Sequence, residues 1–172
     1  MKYFTKQWYE EKLTQQKLQT VDHVGFTRQV AINYQKHYEQ IRELLTDRIK
    51  DITDLNIIHD CIINKTQFNG ENFKIEFNYN GINYQRDDFR SMDFSSIKSD
   101  YFFLSGFTFI NAKVHKNELS MDDWCLHTEI YIHPDGYEIH LLAVKPTNYY
   151  ASEELSELII TFKDVTIEVT EV

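Results

Sequence analysis

Five residues between positions 127 and 140 are of types that bind metal ions or move protons: His127, Glu129, His133, Glu138 and His140. They alternate with apolar residues, which is the period of a β-strand. With a two-residue Asp135-Gly136 turn, His133 faces Glu138, Tyr131 faces His140 and Glu129 faces Leu142 across a hairpin. Ile132–Ile139, Ile130–Leu141 and Thr128–Ala143 then share the other face. A three-residue Pro134-Asp135-Gly136 loop would mix polar and apolar partners on both faces, so the pattern favours the shorter turn. Opposed residues lie about 5 Å apart, so two imidazoles with one or two carboxylates could hold zinc or a similar divalent ion and support a small metal-dependent enzyme. The same alternation is also what the wet face of any antiparallel hairpin shows.

His59-Asp60-Cys61 places a thiol beside an imidazole, the pairing a cysteine nucleophile needs. Adjacent strand residues point to opposite faces, however, which favours a buried Cys61 with His59 or Asp60 satisfying a turn. Tyr149 and Tyr150, with Glu153 and Glu154 close behind, lie in a stretch that reads as a loop and are the candidate anchors for a protein partner. No G-x-G-x-x-G, G-x-x-x-x-G-K, G-x-S-x-G or C-x-x-C occurs, and His127-Thr128-Glu129 lacks the downstream P-C-x-x-C of a zinc deaminase. No resident cofactor is called for.

The elements that must position these residues divide at about residue 53. Thr5 can cap a first helix, with Phe4 and Tyr9 placed as a hydrophobic staple and Trp8, Tyr9 and Leu13 on its buried side; Gly25 falls near a break. Val30, Tyr34, Tyr38, Ile41, Leu45, Ile49 and Ile52 recur at steps of three and four, which predicts one long amphipathic helix. Glu39–Arg42 and Asp47–Lys50 are opposite charges three apart on its outer side. Beyond it the period becomes two. Strands are expected over 57–67, 73–79, 82–86, 101–115, both arms of 126–145, 158–162 and 165–169, with tight turns at Asn69-Gly70, Asn80-Gly81 and Lys163-Asp164. Seven or eight strands, mostly hairpin-connected, with helices segregated at the N-terminus predict an α+β fold: helices packed on a mostly antiparallel sheet or open β-sandwich. Residues 1–53 form the helical region and 54–172 the β-rich domain of one compact unit.

At 172 residues, 42% hydrophobic and 15% aromatic, with five Gly and two Pro, the chain can bury a core without a staple. Cys61 and Cys125 stand in separate segments and do not suggest a secreted disulfide scaffold. The polar opening and the lack of a long apolar run predict a cytoplasmic protein. Net charge is −9, unevenly spread: residues 54–172 hold 9 Lys and Arg against 20 Asp and Glu, a balance of −11. Such a surface repels phosphate and anionic lipid, so nucleic acid and membrane are not expected partners and a basic protein is. A homo-oligomer with a structural role is a further reading.

Four stretches carry a resemblance: MKYFTKQWYE at the start, LNIIHDCII at 55–63, DGYEIHLL at 135–142 and ELIITFKDVTIEV at the end. They resemble an uncharacterised family of bacterial proteins, a domain of unknown function whose members open almost identically and end in a β-rich region. That resemblance spans nearly the whole chain and implies no activity. The His-Asp leading into a strand, followed by acidic hairpins, is similar in style to small immunity proteins that neutralise bacterial toxins, which implies a binding role.

Overall fold

The computed structural model describes residues 2–17, 22–78, 84–92, 98–145 and 154–171. Helix α1 (Lys6–Lys17) starts where the sequence predicts. The Thr5 hydroxyl accepts the Trp8 amide at 3.0 Å, and Phe4, Trp8, Tyr9 and Leu13 are buried. Helix α2 (Asp22–Ile41) runs through Gly25 without a break.

The long helix predicted to reach Ile52 does not continue. A 3-10 turn at Arg42–Leu44 leads to Leu45 in an extended conformation, and α3 (Asp47–Asp54) begins after Thr46. Thr46 accepts the Lys50 amide with its carbonyl at 2.9 Å, and Asp47 supplies the negative charge that a first helical turn favours. Breaking there lets Leu45, Ile49 and Ile52 all enter the core as the chain changes direction. Lys50 does approach Asp47, at 3.9 Å, whereas Arg42 pairs with Asp54 and Glu43 and leaves Glu39 to Gln35.

Among the described residues nine strands follow: β1 (Ile62–Phe68), β2 (Phe73–Asn78), β3 (Tyr84–Gln85), β4 (Tyr101–Ile110), β5 (Lys113–Asn117), β6 (Trp124–His133), β7 (Gly136–Val144), β8 (Leu155–Phe162) and β9 (Asp164–Glu171). All their pairings are antiparallel, in the order β3-β4-β2-β1-β6-β7-β8-β5, with β9 on β4. The fold is therefore α+β with N-terminal helices on an antiparallel sheet, as the sequence predicts. At Asn69, the side-chain carbonyl accepts the Glu71 and Asn72 amides and closes the β1–β2 hairpin. The Asn80-Gly81 turn lies outside the described residues.

Lys163-Asp164 is no hairpin. Strand β8 pairs with β5 and β7, whereas β9 pairs with β4. The pairs Ile110↔Asp164 and Lys113↔Thr161 share one register, and the Lys163 amide donates to the Ile110 carbonyl at 2.9 Å between them. Segments β4–β5 and β8–β9 are thus two long strands kinked side by side. One half of this ribbon joins β2 and the other joins β7, and β1 meets β6 at Ile62↔Trp124, so the path of pairing returns on itself. Bulges in the β1–β2, β4–β9, β5–β8 and β6–β7 ladders supply the curvature. Within this wall Phe73, Ile75, Phe102, Leu104, Phe107, Phe109, Ile130, Leu141, Ile160 and Phe162 form one core, capped by Ile49, Ile52, Ile57 and Ile58.

The hairpin register differs from expectation. His133 pairs with Gly136, so Pro134-Asp135 makes the turn, and Glu129 faces His140 while Tyr131 faces Glu138. This is a slip of two residues, which leaves each side chain from Thr128 onward on its predicted face. Strand β6 leaves β1 after Trp124, and α2 takes the missing partner's place. The Ile130 amide donates to the Tyr34 hydroxyl at 3.1 Å, and His37 Nε2 donates to the Ile130 carbonyl at 3.3 Å.

Candidate functional site

The outer face of the β6–β7 hairpin, read from sequence as exposed, is covered by the N-terminal segment. Glu129 is fully buried. Its carboxylate accepts the amides of Lys2 at 2.7 Å and Tyr3 at 2.8 Å, and also bonds the Phe4 amide and the Tyr131 hydroxyl. Four donors satisfy the buried charge and leave it committed to anchoring the chain start.

His127 stacks on Phe4, with ring centroids 4.5 Å apart and planes 11° off parallel, and meets the edge of Trp8 at 5.1 Å. Burial lowers its pKa from 6.5 to about 3, and Lys12 and His59 add repulsion. His140 Nε2 lies 2.7 Å from Glu138 Oε1, and its Nδ1 is buried with no partner. His133 accepts the Asp135 amide within the turn at 3.2 Å. The five residues therefore split into an anchor, an aromatic stack, a same-strand pair and a turn. Among the described residues no three His, Cys, Asp or Glu side chains are grouped as a metal ion requires.

Cys61 and Cys125, remote in sequence, meet at the β1–β6 seam. The Cys125 amide donates to the Cys61 carbonyl at 2.9 Å, and both side chains are fully buried thiols in no disulfide. Burial pushes the Cys125 thiol well above its ordinary pKa, which keeps it protonated and unreactive. The Cys61 thiol donates to the Ile57 carbonyl at 3.2 Å, His59 pairs with Asp60 at 2.9 Å, and Asp60 accepts the Trp124 indole N–H at 3.1 Å. These are the turn and core roles the sequence favoured. Tyr149, Tyr150 and Glu153 lie outside the described residues, and Glu154 is half-buried at the entry to β8.

Two surface features were not anticipated. A polar cleft of about 280 Å³ lies where α2, α3 and β6 meet, lined in part by Tyr34, Tyr38, Arg42, Asp54, Asn56 and Thr128. Asp54 is its hub: it accepts Arg42 Nη2 and Arg90 Nη1, each at 2.7 Å, and the Tyr38 hydroxyl at 2.5 Å. The Arg42 guanidinium holds the Asp54 carboxyl far below the usual carboxylate range, and burial raises Tyr38 to about 12. One turn earlier, fully buried Asp51 accepts the backbone amides of Arg90 and Ser91 at 3.0 Å and the Ser91 hydroxyl at 2.6 Å. The whole network ties residues 90–91 to α3. Replacing Asp51 with Asn keeps one acceptor, loses the charge and should cost about 1–3 kcal/mol in urea unfolding. An unchanged midpoint would remove the staple role.

The second feature is a groove of about 290 Å³ at the β3–β4 end of the sheet, lined by Gln85, Arg86, Asp87, Asp100 and Tyr101. Tyr101 is 48% exposed, and Asp100 is approached loosely, at 3.9 Å, by Arg86, which also donates to the Ser99 carbonyl. In the sequence the only signal for it was an aromatic residue directly following an aspartate at a strand start. No family model, curated protein or solved structure matches this chain.

Among the described residues no helix is long and apolar enough to cross a membrane.

Proposed function

We propose that the chain is a cytoplasmic protein-binding module of the immunity type, whose acidic β-rich surface takes up a basic partner. The observation that carries this reading is the Tyr101 groove, whose lining includes a half-exposed ring and the exposed Asp87 and Asp100 side chains. A Lys or Arg side chain laid over that ring would have carboxylates in the same groove, which combines cation–π attraction with charge pairing. The −11 balance of residues 54–172 would draw such a partner in from a distance. The hairpin carboxylate that suggested catalysis supports the same reading, because Glu129 is engaged in anchoring the chain start.

Affinity capture from native lysate at low and high salt, followed by mass spectrometry, tests it. One stoichiometric basic protein, released by salt, is expected. A Tyr101→Ala, Asp100→Asn variant should weaken that capture by about tenfold or more. If capture survives this change and is lost in a Tyr149→Ala, Tyr150→Ala variant, the interface belongs to that loop. A blank at both salts overturns the reading.

A further inference from the structure

We infer that residues 2–17 are a strap that unlatches from the outer face of β6–β8 while the rest of the fold stays closed, and that Glu129 is its latch. The inference is independent of the acidic groove and rests on how the apolar contacts divide. Phe4, Trp8, Tyr9 and Leu13 bury against Leu126, Leu142, Val144 and Leu155, in a cluster separate from the main core. The main core, from Tyr38 to Val165, contains no residue of the strap. Removing the strap would therefore leave every main-core contact in place.

The ladders beneath the strap also stand without it, since β6–β7 and β7–β8 bond to each other along their edges while the strap touches their face. What holds the strap at its start is the Glu129 carboxylate, gripping three consecutive amides of a bent segment. The ion pair between Lys6 of the strap and Glu118, at 2.7 Å, is partly exposed on both sides and contributes little. At 12 residues, α1 is too short to hold its helix alone in water, so unlatching also melts it. Opening hydrates Glu129 and uncovers a strip of Leu126, Leu142, Val144 and Leu155. The latch thus decides whether that apolar strip is available to anything else.

Native-state hydrogen exchange followed by mass spectrometry reads this directly. In the wild-type chain, amides of residues 2–17 should exchange at least about tenfold faster than those of β4 and β8. Glu129→Gln removes the charge from the latch and should raise exchange in residues 2–17 by about tenfold or more, with β4 and β8 unchanged within about twofold. Trp8→Ala, which touches only the strap's own side chain, should do the same. It should also shift the remaining tryptophan emission to the red, because Trp124 packs on this cluster. Equal protection across the chain, an equal rise in all segments, or loss of folding in both variants would overturn the inference.

Discussion

Gly136→Ala should lower the stability of the fold by about 3–5 kcal/mol, which would show as a large drop in the urea midpoint. Gly136 follows the Pro134-Asp135 turn at φ +138°, where an L side chain is strained. A Cβ there would also lie 2.4 Å from the Phe162 carbonyl oxygen and 3.1 Å from the Lys163 Cα. Both are backbone atoms at the kink between β8 and β9, so neither can swing aside. The methyl group would push the hairpin end away from the corner through which the sheet returns on itself. Gly70→Ala is the control: its φ is +92° but nothing lies within 4 Å of the new Cβ, so it should cost only about 1–2 kcal/mol. Equal losses in the two variants would mean that conformation alone matters and that the close approach at the kink does not.

Much of this architecture is legible in the sequence because it is local. Thr5 as a cap, the alternation that sorts β6 and β7 into two faces, and the turn at Asn69 each depend on neighbours within a few residues. What local pattern could not give is which polar face stays wet. The residues sharing a face with Glu129 include Leu142, an apolar residue out of place on a solvated surface, and its meaning becomes clear only once Phe4 and Trp8 are seen to cover it. The helix break was hidden for a related reason. Leu45 keeps the three-and-four spacing while the chain changes direction, so periodicity alone runs through a boundary that Thr46-Asp47 marks. The kink at 163 reads as a turn because the signal for leaving a strand is the same whether the chain folds back or joins a different neighbour, and the matching kink at 111–112 passes unseen inside the strand expected over 101–115.

The candidate site was less legible, since its parts come together from far apart. Asp51 and Asp54 carry no local signal, and their partners Arg90 and Ser91 stand almost forty residues away. Cys61 and Cys125 were likewise separated by 64 positions yet face each other across the seam. The histidine spacing, by contrast, was conspicuous and pointed toward a metal, although neutral imidazole is also a flat ring that packs well among aromatics, and His127 is used in that way.

That use makes the fold sensitive to acid. With its pKa lowered to about 3 by burial, His127 stays neutral in the closed fold, while in the unfolded chain it takes a proton near 6.5. Below about pH 6.5 the unfolded state therefore binds more protons, and stability falls as pH falls, by at most about 1.4 kcal/mol per unit from this one group. Between pH 7 and 4.5 the loss should reach about 2–3 kcal/mol. The carboxylates act later: Asp54 and Glu118 have lowered pKa values, so the stability they contribute is present above their ordinary values of 3.8 and 4.5 and is lost only as pH falls below these. The window from 6.5 to 4.5 thus lies above the range in which these two carboxylates act. The groups facing it are Lys12 of α1 and His59, both of which oppose the added charge. Urea titrations followed by tryptophan emission suit the measurement, because Trp8 and Trp124 both belong to the cluster around this ring. His127→Phe should keep the stack on Phe4 and flatten the pH dependence across that window. A variant with the wild-type slope would show that the proton is taken up elsewhere. Because the proton favours every state in which His127 meets water, it favours the open strap as well as the unfolded chain, so acid should loosen residues 2–17 first.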